Sequence, residues 1–461
     1  MTRVLYWNIN NFSLSKIQAQ HPNDVPFAEQ RLQYMVHNIM RGPPGGPIPD
    51  IIVVVEVYGR VREVSAEGTV LNPDSEAGQG VLMLLNTLRG DLVMGTTAAR
   101  SNWCVVPPLN LGAEGFREAV AVFYNAVNLQ FTGPNLLYQL YGPPPAGTNI
   151  GQSQPVNAAT LAALTTYPPE WAGEMPGRMV AALGIPENQL AGEWQYYGGG
   201  TRRLIPSPPP PEFPRNRIPF PNQYNRGPFL TRFLDLAGRT LNLFSVHTSP
   251  DTARQAVNNM QAVPEMTAVM PRQVNVILGD FNIDTFGGAA DAYTWMLREY
   301  GGIYTMALDP RDLDPEGNRG NVNPARKPYC MTHLLPWAAA TPYNNVGVVT
   351  DPQHNVYPRF GYMGSWVANN FNDSGAIDNV FTAYGAGLAA PAANNITVIN
   401  TVTGTPYVGQ QGLGYPSTLN RQFPAGGINP PNPVAVEQFQ EWPNFGVIAN
   451  TSDHLPLLID I

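Results

Sequence analysis

The chain has 461 residues, 43% of them hydrophobic, with 26 basic and 34 acidic side chains and a formal charge of −8 at neutral pH. Such a composition suits a large buried core, and the acidity excludes a broad basic face that attracts nucleic acid by charge alone. Two cysteines, Cys104 and Cys330, exclude a disulfide framework. The longest aliphatic run, Ile51 to Val55, is far too short for a bilayer span. The N-terminus shows no apolar core followed by a small-residue cleavage site, so no secretory signal is expected.

In chain order, Thr2 to Ile9 reads as a strand. Leu32, Met35, Val36, Ile39 and Met40 recur at helical spacing, and the Gly/Pro stretch 42–49 ends that helix. Ile51 to Val57, apolar and largely β-branched, reads as a buried strand, Gly80 to Leu88 as a helix, and Glu118 to Phe131 as one or two strands. Phe229 to His247 reads as two strands around Leu236 to Arg239. Asp251 to Met270 reads as a helix kinked at Pro264. Val274 to Leu278, Ala376 to Thr382 and Leu455 to Ile461 are further strands. The chain is thus expected to form a single domain over 1–461, interrupted by Pro/Gly/Asn-rich insertions at about 134–225, 304–373 and 385–450. Proline-rich segments are expected as extended coverings rather than extra sheet. The first insertion is expected to wall the mouth of the site.

The strand ends share a property. Asn8 lies at the end of the first strand and Glu56 at the end of the second. Glu118 begins the third, His247 ends the fourth, and Asp280 and Asn282 follow the fifth. Asp378 lies in the sixth, and Asp453 and His454 precede the last. A lone aspartate after a strand is usually a turn former, and a lone histidine a structural one. Two histidines, several carboxylates and two amides at successive strand mouths go beyond turn chemistry, because open sheets gather their ligand sites at strand ends. Glu56 with Asn8 supplies oxygen ligands of the kind Mg²⁺ prefers. Asp280 and Asn282 are placed to orient a water or a second cation. His247 and His454 are candidates for the acid and the base of an in-line attack, with Glu118 and Asp378 available to fix their tautomers. Gly279 is expected to allow a sharp turn that sends Asp280 and Asn282 to the site and Phe281 to the core.

The ordered set WNIN, VVVEV, FREAVAVFYN, SVHTSP, ILGDFNID, AIDNVF and TSDHLPLLIDI resembles the endonuclease/exonuclease/phosphatase superfamily, and within it the deoxyribonuclease I branch most. The resemblance covers about half the chain and leaves out the three insertions. It implies an α+β fold, a four-layer α/β/β/α sandwich. It implies His247–Glu118 and His454–Asp378 pairs, a phosphate contact from Arg226 in NRGPFLTRF, and metal ligands drawn from Asn8, Glu56, Asp280, Asn282 and Asp453. The cation implied is Mg²⁺, with Mn²⁺ and Ca²⁺ as alternatives. The activity implied is metal-dependent phosphodiester hydrolysis, an endonuclease acting on DNA. The alternatives are a phosphatase or lipid phosphodiesterase acting on inositol phosphate or sphingomyelin, and a catalytically dead binding protein. The abasic-site repair branch lacks a histidine at the position of His247. Two departures alter the DNA groove contacts: Asn10 and Tyr58 stand where deoxyribonuclease I carries groove-reading arginines.

Other residues carry plainer expectations. His21, His37, His333 and His354 lack any motif and read as structural or exposed. Cys104 reads as a small buried hydrophobe, Arg202 and Arg203 as a solvated pair, and Trp171, Trp194, Tyr196 and Tyr197 as packing rather than base-stacking residues. Only Lys16 and Lys327 are lysines among the 26 basic residues. That scarcity fits a toxin effector with an inhibitory immunity partner, and fits an arginine-biased genome as well. The location expected is cytoplasmic, or outside the cell by a signal-peptide-independent route.

Overall fold

The structure, a computed structural model, describes residues 1–18, 32, 34–40, 48–59, 71–90, 103–108, 110–112, 117–133, 194–197, 201–204, 226–285, 292–313, 319–322, 330, 332–333, 348–350, 356–358, 376–391, 396–400, 410–412 and 452–461. Most of the three insertions, with His21, His354 and Trp171, lies outside the described residues, so the expectation that 134–225 walls the site does too. Only the backbone is described for His37, Trp194, Tyr196, Tyr197, Arg202 and Arg203.

Fourteen of the described strands make two sheets. They are β1 (Arg3–Phe12), β2 (Ile51–Val57), β3 (Trp103–Val106), β4 (Asn110–Leu111), β5 (Glu118–Asn125), β6 (Leu129–Gly133), β7 (Phe229–Asp235), β8 (Thr240–His247), β9 (Gln273–Asp280), β10 (Thr305–Met306), β11 (Asp378–Tyr384), β12 (Ile396–Asn400), β13 (Gln410–Gly412) and β14 (Leu457–Asp460). The first sheet runs β13-β12-β14-β1-β2-β5-β3, with β4 also on β5, and the second runs β10-β11-β9-β8-β7-β6. Glu118 to Phe131 is therefore two strands, and the turn between them carries the chain from one sheet to the other.

The two sheets pack face to face. Along β9, Val274, Val276 and Leu278 join the apolar cluster shared with the first sheet, while Ile277 faces outward into a second cluster. That alternation is the period-two signature of a strand buried on both faces. On the outer side of the first sheet lies α2 (Glu76–Gly90), which follows the short α1 (Leu14–Ile17). It buries Ala77, Val81, Leu84, Leu85 and Leu88, a stripe at helical spacing. The helical turn Tyr34–Met40 is of π type, and it buries the expected Met35, Val36, Ile39 and Met40. On the outer side of the second sheet lie α3 (Ala253–Asn259) and α4 (Pro264–Thr267), packed on Phe244, Val246, Ile277 and Phe381. The result is the expected α/β/β/α sandwich. Among the described residues no helix is long and apolar enough to cross a membrane.

Two expectations are corrected. The helix expected over 251–270 is broken, not kinked. Val263 is extended, with φ −88° and ψ 107°, and Pro264 opens a new helix, because the residue before proline is driven from the helical region and proline itself suits the first helical position. The second and third insertions also contribute sheet. Thr305–Met306 adds β10 to one sheet, and Ile396–Asn400 and Gln410–Gly412 add β12 and β13 to the other. The segment ITVIN has no proline and is β-branched, but its signal is diluted by the Gly/Pro-rich sequence around it.

Candidate active site

The sheet directions explain why the polar residues meet. β1 runs parallel to β2, and β8 parallel to β9. β5, β11 and β14 run antiparallel to β2, β9 and β1. The ends of the first set and the starts of the second therefore lie along one edge. His247 is in register with Asp280, and Asp280 with Asp378.

Glu118 and His247 form the first pair. His247 Nδ1 lies 2.5 Å from Glu118 Oε1, and both residues are buried. Arg226 ion-pairs with the same Glu118 oxygen, and its Nη1 lies 2.7 Å from His247 Nδ1. A guanidinium only donates and a carboxylate only accepts, so a hydrogen on Nδ1 goes to Glu118, whereas a bare Nδ1 accepts from Arg226. Burial alone would raise the Glu118 carboxyl, but Arg226 and His247 hold it down at about 2. Burial and Arg226 lower the His247 imidazole, and Glu118 with Glu56 outweigh them, for a net upward shift. Arg226, the residue expected to meet a phosphate, has its guanidinium on Glu118 and beside His247.

Asp378 and His454 form the second pair, with Nδ1 2.8 Å from Asp378 Oδ2. Asp378 is fully buried. Its Oδ1 accepts from the Tyr6 hydroxyl at 2.8 Å, and its backbone N–H donates to Thr332 Oγ1 at 3.0 Å. The SDH turn is anchored to β1. Ser452 Oγ donates to the Asn8 carbonyl at 2.6 Å and accepts from the His454 N–H at 2.8 Å, and the Trp7 indole donates to the His454 carbonyl at 3.0 Å. Burial lowers the His454 imidazole, but Asp378, then Asp280 and Asp453, outweigh it and push it up to about 10.

The two imidazoles converge on one oxygen. Asp280 Oδ2 lies 3.7 Å from Nε2 of His247 and 3.7 Å from Nε2 of His454. Asn8 lies beside it, with Nδ2 3.0 Å from Glu56 Oε1 and 3.2 Å from Asp280 Oδ2. Glu56 Oε2 accepts from the Asn11 N–H at 3.0 Å. Both Glu56 and Asn11 hold left-handed backbone, with φ of 57° and 56°, a conformation that costs a non-glycine residue energy and tends to mark functional positions. Asn282, with φ 50°, donates its side-chain amide to the Thr248 carbonyl at 2.8 Å, which fixes it on the same rim.

These groups fit a hard divalent cation. Glu56, Asp280 and His454 present ligand atoms within 4.8 Å of one another. Burial, then Asp378, pushes the Asp280 carboxyl up to about 6 although His454 and His247 pull it down, the mark of a buried acid crowded by another. Asn8 Oδ1 is buried and has no hydrogen-bond partner. The two orientations of an amide have the same outline, so a half turn presents Oδ1 to the same cluster as a further oxygen ligand.

The expectation for Gly279 is corrected in its cause. No turn occurs there. A Cβ at this position would lie 1.9 Å from the Val246 carbonyl oxygen, so glycine is needed for close strand approach. Phe281 does point away from the site, edge-on to Tyr293 and Phe381 at 5.6 Å and 5.2 Å.

Asp453 lies on the rim, accepting from Asn10 Nδ2 at 3.0 Å. Beside it stands His333, which was expected to be structural or exposed. Its ring centroid lies 4.5 Å from that of His454, and the two residues form a backbone bridge. Tyr6, Ser452 and His333 are the residues that sequence reasoning missed. Ser452 carried a signal, as the first member of the SDH turn.

No family profile and no curated protein matches the chain. Similar solved structures include an endonuclease/exonuclease/phosphatase family protein from Leptotrichia buccalis, 10% identical, covering 100% of this chain and 99% of that one at a TM-score of 0.37. Another is TDP2 from D. rerio complexed with a single-strand DNA product, 8% identical, covering 99% and 97% at 0.35. A third is a mannosyl-6-phosphatase from Bacteroides thetaiotaomicron, 9% identical, covering 100% and 99% at 0.34. Scores at this level leave the functional reading to the geometry of the site itself, whose sandwich and motif order are those implied by the resemblance to the endonuclease/exonuclease/phosphatase superfamily.

Proposed function

We propose that the chain is a divalent-metal-dependent phosphodiester hydrolase that cleaves nucleic acid, with DNA as the first substrate to test. The observation that carries this reading is the convergence of two carboxylate-held imidazoles on one buried oxygen, Asp280 Oδ2, at 3.7 Å from each Nε2. In-line hydrolysis needs a group to take a proton from water on one side of phosphorus and a group to give a proton to the leaving oxygen on the other. Glu118 and Asp378 hold the Nδ1 sides of His247 and His454, so each Nε2 faces the site as a proton carrier. Asp280 and Asn282 orient the water. Asn8, Glu56 and Asp280 are the residues that would hold the cation, with Asn282 and Asp453 beside them. When bound, Mg²⁺, or Mn²⁺ or Ca²⁺ in its place, would neutralise phosphate charge and orient the phosphate.

A second reading, a phosphatase or lipid phosphodiesterase, is favoured by one observation. Asn10, at a position where deoxyribonuclease I reads the groove with arginine, is turned onto Asp453. The test is a panel of plasmid, single-stranded DNA, RNA, inositol phosphates and sphingomyelin, each with Mg²⁺ and with excess chelator. Cleavage of nucleic acid in the Mg²⁺ arm alone supports the first reading. Release of phosphate or headgroup without nucleic-acid cleavage supports the second. No turnover on any substrate leaves the binding-protein alternative.

A further inference from the structure

His333 has a place in the site but no part in the hydrolysis just described. Its Nε2 lies 3.7 Å from Asp453 Oδ2, and Asp453 Oδ1 lies 3.8 Å from His454 Nε2. Both separations exceed a hydrogen bond. His333 Nδ1 is buried and has no partner among the described residues, so within those residues neither nitrogen of this ring has a partner at full hydrogen-bond distance, Asp453 being near Nε2 at 3.7 Å. Such a ring carries a desolvation cost unless something else takes one of its nitrogens.

The separations match another kind of contact. A tetrahedral ion with bonds of about 2.0–2.1 Å holds its ligand atoms roughly 3.3 Å apart, a few tenths of an ångström below the distances found here. The ligand atoms of His333, Asp453 and His454 all lie within 4.8 Å of one another. Two of the three residues have supporting groups in place. Asp378 holds His454 Nδ1 at 2.8 Å, and Asn10 holds Asp453 at 3.0 Å, the outer contacts that orient metal-binding imidazoles and carboxylates. The donor set differs from that around Glu56 and Asn8. Two imidazole nitrogens and one carboxylate suit Zn²⁺ and similar borderline ions, whereas oxygen-rich sites suit Mg²⁺.

We propose that His333, Asp453 and His454 form a second metal site, selective for Zn²⁺-class ions, which blocks hydrolysis by taking the Nε2 of His454. Three protein ligands leave a fourth position for water. The binding half of the proposal stands on these three residues alone. The inhibitory half rests on the reading of His454 as a proton carrier.

The experiment uses the full chain stripped of metal and then held in saturating Mg²⁺. Zn²⁺ binding is followed by calorimetry, and Co²⁺ binding by the visible absorption of a tetrahedral ion. Wild type should bind one tight Zn²⁺ and lose Mg²⁺-supported turnover as the site fills. His333→Phe, which keeps a ring of similar size, should bind Zn²⁺ about 100-fold more weakly or worse, at least the loss seen when only an outer contact is removed. It should keep its Mg²⁺-supported turnover and escape zinc inhibition. His333→Gln serves as a second variant should the first not fold. Absence of tight Zn²⁺ binding in wild type, or equal binding in a folded His333 variant, overturns the site. Loss of Zn²⁺ binding in the variant of a protein that hydrolyses no substrate upholds the site and sinks the hydrolase reading. Tight binding that leaves turnover untouched overturns the inhibitory role.

Discussion

Tyr6 donates its hydroxyl hydrogen to Asp378 Oδ1 at 2.8 Å, so the carboxylate that orients His454 is itself held from the opposite sheet. Tyr6→Phe removes that donor and leaves a buried carboxylate oxygen one partner short. The expected cost is about 1–3 kcal/mol of stability, with a fall in turnover smaller than that caused by replacing His454. Urea unfolding and steady-state rates check this. Wild-type stability together with wild-type turnover would remove Tyr6 from the support of the pair.

Glu56→Ala should leave the fold intact and abolish Mg²⁺- or Mn²⁺-dependent hydrolysis, since Glu56 Oε1 lies against Asn8 at the oxygen-rich cluster. Circular dichroism and turnover across a metal titration are the measurements. Wild-type-like turnover in the variant, or native activity undiminished in excess chelator, would falsify the assignment.

His247→Ala and His454→Ala should each slow hydrolysis by about 10²–10⁴-fold, the scale of a general acid or base. The double variant should lose less than the product of the two, because both serve one transition state. A single variant that retains nearly full activity on the true substrate would exclude that histidine from proton transfer.

Glu118 sets a pH dependence of stability in the metal-free protein. Its folded carboxyl is held down at about 2 against an ordinary 4.5. A lowered folded pKa gives stability that is present above 4.5 and lost as pH falls through about 2. His247 is shifted upward from 6.5, so its contribution is complete below 6.5 and lost as pH rises through the folded value. Urea midpoints measured across pH should show both limbs, and Glu118→Gln should flatten both. A variant with the same profile as wild type would break the link between this pair and acid stability.

Gly279→Ala should destabilise by about 3 kcal/mol or more, the upper range for forcing atoms into a packed interior. Its Cβ would meet the Val246 carbonyl at 1.9 Å, and backbone on that side has little room to yield. Because the displaced strands carry His247 and Asp280, turnover should fall with stability. An alanine variant within 1 kcal/mol of wild type, on the ordinary scale of surface substitutions, would show that β8 and β9 part easily.

The strand mouths were legible because they follow from local pattern, and the sandwich because the ordered motifs resemble a known superfamily. An apolar run that ends in one polar group needs no partner to be noticed, and seven such ends recur from Asn8 to His454. Tyr6 was hidden because it occupies an inward position of β1, where an aromatic reads as core. Val4, two residues before it on the same face, is buried there too. His333 was hidden because its meaning depends on His454, far along the chain, and on a backbone bridge that no spacing encodes. The engagement of Arg226 by Glu118 was hidden for a similar reason. The motif identifies the arginine, but only the folded edge shows which acid reaches it first. The strands β12 and β13 were lost in the average composition of the insertion that contains them.

Each imidazole–carboxylate pair has one member on either sheet. Glu118 begins β5 in the first sheet while His247 ends β8 in the second, and His454 leads into β14 in the first while Asp378 begins β11 in the second. Neither sheet alone contains a complete pair. In the proposed reaction, turnover is therefore a gauge of how the two halves of the sandwich are docked. A slip of one sheet against the other by a single ångström would separate both imidazoles from their carboxylates at once while leaving most strand hydrogen bonds intact. Under mild denaturant, activity should vanish before the strand signal does, and on refolding it should be the last property to return.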